Sequence, residues 1–164
     1  MAIHLRQGNY GFGRFWVAPT SWYIAWLRTI WSNLEQPILY LASDVEWLQA
    51  DFVDFSPWSA ARLGVDIPGA EFLVDHHILR HANHLAISNS SFSFTAAMLN
   101  TNAESFLRPD PALQKLVAFD PWASEVLRDV TVEPQAVAAG ERLLIQNRIL
   151  PTDTVVYWGS YCSA

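Results

Sequence analysis

The chain of 164 residues has a single cysteine, Cys162. One thiol cannot form an intrachain disulfide, so no covalent staple is expected and a reducing compartment fits best. Charge is also scarce. Only 16% of residues are charged, against 51% apolar, which excludes a disordered, self-repelling chain. The net charge is −6 at pH 7, so the broad basic face of a nucleic-acid binder is excluded and only a local basic spot remains. No apolar run reaches the roughly 20 residues that cross a bilayer, and no leader pattern is read ahead of Ile3. A cytoplasmic protein without a membrane span is expected. Repeats and low-complexity tracts are absent too. What the sequence does hold is tryptophan, eight residues of it, enough for a large core or for apolar surface that meets a partner. The length suits one domain over 1–164, able to bury roughly 70% of its unfolded surface.

Short apolar runs alternate with helical patterns. MAIHLR is a strand candidate, followed by a loop punctuated by Gly8, Gly11, Gly13 and Pro19. Thr20 or Ser21 can cap a helix whose apolar residues Trp22, Tyr23, Trp26, Leu27, Ile30, Trp31 and Leu34 recur with helical period. PILYLAS is continuously apolar, as a parallel strand covered on both faces would be. VEWLQADF reads as a short helix, SPWSAARLGVDIPG as irregular and GAEFLVDHHILRHAN as a helix. HLAIS is a second buried strand, SSFSFTAAMLN a helix and ESFLRPD a further strand. Beyond Pro109 the pattern weakens, with EPQAVAAGERLLIQNRI helical and TDTVVYW a terminal strand. Such alternation predicts an α/β fold: a Rossmann-like, open, mostly parallel sheet with right-handed crossovers and helices on both faces.

Open parallel sheets bind ligands at the carboxyl ends of their strands. Three segments here turn polar just where an apolar run stops: HLRQG, LASDV and ISNSSFS. In the last, the hydroxyls and backbone N–H groups of Ser88, Asn89, Ser90 and Ser91 can hold an anion at a helix amino end. The plainer reading makes Ser90 or Ser91 an N-cap only. Arg6 can form paired bonds to phosphate oxygens, or be an ordinary surface arginine. His77, His81 and His84 fall at i, i+4 and i+7, which would place them on one face of a helix as a zinc-binding module or as a solvated polar face. Trp22, Trp26 and Trp31 can stack sugars, although their helical spacing favours the core.

The stretch His4-Leu5-Arg6-Gln7-Gly8-Asn9-Tyr10 resembles the His-x-Arg-x-Gly-Asp-Tyr motif of GDP-fucose-dependent fucosyltransferases of the family 11-like, α-1,2 type. Tyr40-Leu41-Ala42-Ser43-Asp44-Val45-Glu46-Trp47 resembles their second motif, and His84 to Phe94 resembles their third. The order and spacing agree over residues 1–108. This resemblance implies the carboxyl-terminal, donor-binding half of a GT-B glycosyltransferase. It implies a nucleotide sugar, GDP-fucose, as the donor substrate, with no cofactor and no metal required. Arg6 would bind the β-phosphate and act catalytically by stabilising charge on the departing diphosphate. His4 would lie by the ribose or base, and Ser90 and Ser91 would line the pyrophosphate loop beside Asn89. Asp44 ends the second motif's strand, and Asp75 stands where distant relatives place a carboxylate on guanine. Asn9, Gln7, Val45, Phe94 and Thr95 depart from the family's residues. The amino-terminal acceptor domain of the family is not seen, so the chain alone is expected to transfer no fucose without a homodimer or a partner chain that supplies it. The alternative is a non-catalytic interaction or nucleotide-binding module descended from such a transferase.

Overall fold

β1 (Ala2–Leu5), β2 (Tyr40–Ser43), β3 (His84–Ala86), β4 (Ser105–Asp110) and β5 (Lys115–Ala118) form one five-stranded sheet in the order β2-β1-β3-β4-β5. The computed structural model describes residues 1–129, and all of them lie in the first of two compact units, Met1–Val130. β1 pairs in parallel with β2 and with β3, and β3 pairs in parallel with β4. β5 returns antiparallel to β4. The sheet is therefore the mostly parallel, Rossmann-like one that the alternation predicts.

Side chains alternate across a strand, so each strand feeds two layers. Ile3, Leu5 and Leu41 pack on one face with Tyr23 and Leu27 of α1 (Thr20–Ile30) and with Leu48, Phe52 and Phe55 of a 3₁₀ segment, Glu46–Phe55. Ala2, Tyr40, Ala42, Leu85 and Ile87 pack on the other with Leu79 of α3 (Phe72–Leu79) and Phe94, Ala96 and Ala97 of α4 (Ser91–Met98). Full burial of one such Leu or Phe contributes roughly 1.5–3 kcal/mol. Trp22, Trp26 and Trp31 lie half-buried against the first layer, so they serve the core.

Several local expectations are corrected. Pro19, not Thr20 or Ser21, takes the N-cap position of α1, and Thr20 instead donates to Asp51 Oδ2 at 2.7 Å, tying the helix to the 3₁₀ segment. α1 stops at Ile30 and tightens into a 3₁₀ turn, Trp31–Asn33, so Leu34 lies outside it. VEWLQADF is 3₁₀ rather than α-helical and kinks at Phe52. The irregular stretch holds a one-turn helix, α2 (Ala60–Leu63), because Ser59 Oγ accepts from Arg62 N at 3.3 Å and Gly64 takes the left-handed φ of 67° that ends it. The helix expected through Asn83 ends at Leu79. The buried Asn100 side chain donates to the carbonyls of Leu79 and Ala82 at 3.1 and 2.9 Å, and so takes up the helix end. β5 is hidden in the weak pattern after Pro109. Asp110 Oδ1 accepts from the backbone N–H groups of Ala112 and Leu113, both at 3.0 Å, and closes the hairpin. The helix and strand expected in residues 133–149 and 152–158 lie outside the described residues.

Candidate functional site

β1 connects to β2 on one side of itself, and the chain then crosses to β3 on the other side. That reversal opens a crevice beyond the carboxyl ends of β1 and β3. A cavity of about 340 Å³ lies there, lined by His4, Arg6, Tyr10, Ser43, Asp44, Phe72, Asp75, Ser90, Ser91 and Phe92. Six of the seven residues that the resemblance assigns to the nucleotide meet in it: His4, Arg6, Asp44, Asp75, Ser90 and Ser91.

His4 lies one residue before the end of β1 and is buried, with Nδ1 2.8 Å from Ser88 Oγ and its ring 5.2 Å from that of Phe92. Burial first, and the Arg6 charge second, bring its pKa down to about 3, so the ring is neutral. With Nδ1 engaged, Nε2 is the ring nitrogen left for a ligand.

Arg6 follows β1. Its Nη1 lies 3.2 Å from Asp44 Oδ2, its Nη2 donates to Asn9 Oδ1 at 2.9 Å, and its guanidinium sits 5.4 Å from the Tyr10 ring. Side-chain exposures of 37% and 20% leave this ion pair within reach of a ligand. Two contacts out of five N–H donors leave Arg6 further bonds to give. Asp44 also accepts from Gln7 N at 2.9 Å. That close approach explains Gly8, where a Cβ would run into Asp44 Oδ2. Asn9 thus holds the arginine by its amide oxygen.

Ser90 stands at the N-cap position of α4 yet makes no capping bond with its side chain. The N-cap-only reading therefore fails for this hydroxyl, and Ser90 is among the residues lining the cavity. The first N–H groups of α4 have no partner within the helix and carry the positive end of its dipole. Asp75 lies on α3 one turn after Phe72. Its Oδ1 accepts from the Tyr40 hydroxyl at 2.6 Å. Burial raises its pKa, and the Tyr40 bond opposes that rise. Phe72 is 57% exposed on the cavity's lip, edge-on to Phe92 with centroids 6.5 Å apart.

Asn89 is not brought to the cavity. Its amide donates to the carbonyls of Arg14 and Arg128 at 2.7 and 3.1 Å and accepts from Arg128 N at 2.8 Å. It pins the β1–α1 loop and the segment at Arg128 to the end of β3. Beside it, Arg108 of β4 is buried between the rings of Phe94 and Phe119 and donates to Glu125 O at 2.6 Å. Burial chiefly, with Arg128 next, lowers its pKa to about 10, which still leaves it charged at neutral pH. The histidines do not share a helix. His77 is in α3, His81 lies past its end with its ring 4.4 Å from His77, and His84 opens β3 and bonds Ser105 Oγ at 3.0 Å. Among the described residues no group of three or more His, Cys, Asp or Glu is placed to hold a metal.

Sequence reading misses Tyr10, Ser43, Phe72 and Phe92 as cavity residues, and Tyr40 behind them. Tyr10, Ser43 and Phe92 lie inside the motifs themselves. Phe72 is signalled by its spacing of three from Asp75 on one helix. No family model, curated protein or solved structure gives a significant match to this chain. Among the described residues no helix is long and apolar enough to cross a membrane.

Proposed function

We propose that the cavity binds the nucleotide sugar GDP-fucose in the manner of the donor half of a GT-B, α-1,2-type fucosyltransferase. The observation that carries this reading is the convergence of three separate sequence segments on one cavity at the sheet's switch point. In it Arg6 and the amino end of α4, with Ser90 and Ser91, take the diphosphate. His4 Nε2 takes a ribose or base atom. Phe72 offers an apolar face to the base, and Asp75 accepts N–H bonds from its edge. Guanine presents two neighbouring N–H donors to a carboxylate, whereas adenine lacks that pair. Asn89 supports the loop from behind rather than touching the ligand. Asp44 orients Arg6.

The chemistry is displacement at C1 of fucose with inversion. The acceptor hydroxyl forms the new C1–O bond and gives up its proton to water as the bond from C1 to the diphosphate breaks, and Arg6 stabilises the charge gathering on GDP. No metal is needed for that step. The acceptor must be held within near-attack distance, which is the part we assign to a second copy or a partner chain in the cytoplasm.

One observation favours a second reading, a nucleotide-binding module without turnover. Asp44 already neutralises Arg6, and that lessens its pull on a leaving diphosphate. Titration of the protein with GDP, ADP and UDP tests the shared premise. Release of labelled fucose from GDP-fucose above an Arg6→Ala control separates transferase from binder.

A further inference from the structure

Asp75 is a partly covered carboxylate in the cavity wall, and among the described residues it makes no salt bridge. The torsion that turns a carboxylate about its own stem is soft, so a lone aspartate does not by itself hold its oxygens at a fixed angle. Here something does. Tyr40 opens β2 and is buried in the layer beneath α3 and α4, with 5% of its surface exposed. Its hydroxyl donates to Asp75 Oδ1 at 2.6 Å. Tyr40 itself is not among the cavity's lining residues.

We propose that Tyr40 is a positioning residue for base selection: from the core it fixes the plane of the Asp75 carboxylate and keeps it an acceptor toward the cavity. This rests on the reading that the cavity takes a guanine nucleotide. A carboxylate has about four acceptor sites, so one bond to Tyr40 leaves enough for two N–H donors on a base edge. A hydrogen bond to the ionised form also opposes the effect of burial. The other titratable or charged groups around the cavity are His4, Arg6, Tyr10 and Asp44, and His76 stands next to Asp75 on α3. Tyr40, outside this set, is the side chain that bonds Asp75 directly.

The test is Tyr40→Phe, which keeps the ring in the core and removes the hydroxyl. Kd is measured for GDP and for ADP, and the GDP Kd is followed from pH 5 to 8. The expected result is GDP affinity weaker by about three- to tenfold with ADP affinity unchanged. Loss of the donor raises the carboxyl pKa, so the fall in GDP affinity on acidification should begin at higher pH in the variant than in the wild type. In an Asp75→Asn background Tyr40→Phe should have no further effect on the GDP-to-ADP ratio, since the hydroxyl acts through Asp75. An unchanged ratio and an unchanged pH profile in Tyr40→Phe would overturn the proposal. So would a variant that no longer melts cooperatively, because the hydroxyl would then serve folding. A wild type that binds no GDP fails the broader reading first and takes this one with it.

Discussion

Among single residues, the site is governed by burial more than by net charge. His4 is held neutral because its surroundings cannot solvate a cation. The same burial makes stability depend on pH. The folded-state pKa is about 3 and the unfolded value is 6.5, so between these limits the unfolded chain binds the extra proton. Stability from this group is complete above 6.5 and is lost as pH falls toward 3, with a slope of up to about 1.4 kcal/mol per pH unit. Asp75 works the other way, since its raised pKa favours the folded state on the acid side. Denaturant midpoints at several pH values in wild type and His4→Gln isolate the first effect, and the variant should show the shallower slope. In the proposed function Asp75 would also set the base preference. Asp75→Ala should bring GDP affinity down to that for ADP while the diphosphate contribution stays, read as two Kd values converging.

Among the elements, α3 and α4 are where sequence and structure part most usefully. α4 begins where the sequence puts it, but Ser90 does not spend its hydroxyl on capping, which no spacing rule reveals. The sequence pattern makes α3 nearly twice its length. The apolar and histidine-rich run through Asn83 is compatible with a helix, and what ends it is Asn100, a residue 21 positions after Leu79. Local propensity cannot register such a partner. Asn100 also accepts from the N–H groups of Asn102 and Ala103 at 2.8 and 2.9 Å, so Asn100→Ala should cost about 2–3 kcal/mol by stranding buried carbonyls, measured by urea unfolding. α3 in turn presents Phe72 and Asp75 together at the cavity. Phe72→Ala should weaken GDP and ADP alike, by about 1–3 kcal/mol, because stacking is tolerant of base identity. A loss confined to GDP would contradict that division of labour.

Across the whole molecule, the fold is legible because its strands are short apolar runs that stop at polar residues. The sheet order then does what no strand shows alone: with β3 across β1 from β2, it brings His4, Asp44 and Ser90 to one crevice. β5 is not legible, since Lys115–Ala118 is four residues with a single buried one and is held by a hairpin that depends on Asp110. Nor is the pairing of Arg6 with Asp44, which joins residues 38 apart. This pairing bears on how the proposed diphosphate would be held. The cavity sets one arginine against two aspartates, so a diphosphate must be gripped by directed N–H and O–H bonds rather than by a broad positive field. Calorimetric titration of the purified chain with GDP, ADP and UDP, beside Arg6→Ala, is the decisive experiment. The expected outcome is saturable one-to-one binding with GDP the tightest, little change in Kd as salt is raised, and a loss of roughly 1.5–3 kcal/mol in Arg6→Ala. Absence of saturable GDP binding, or equal GDP affinity in wild type and Arg6→Ala, would contradict it.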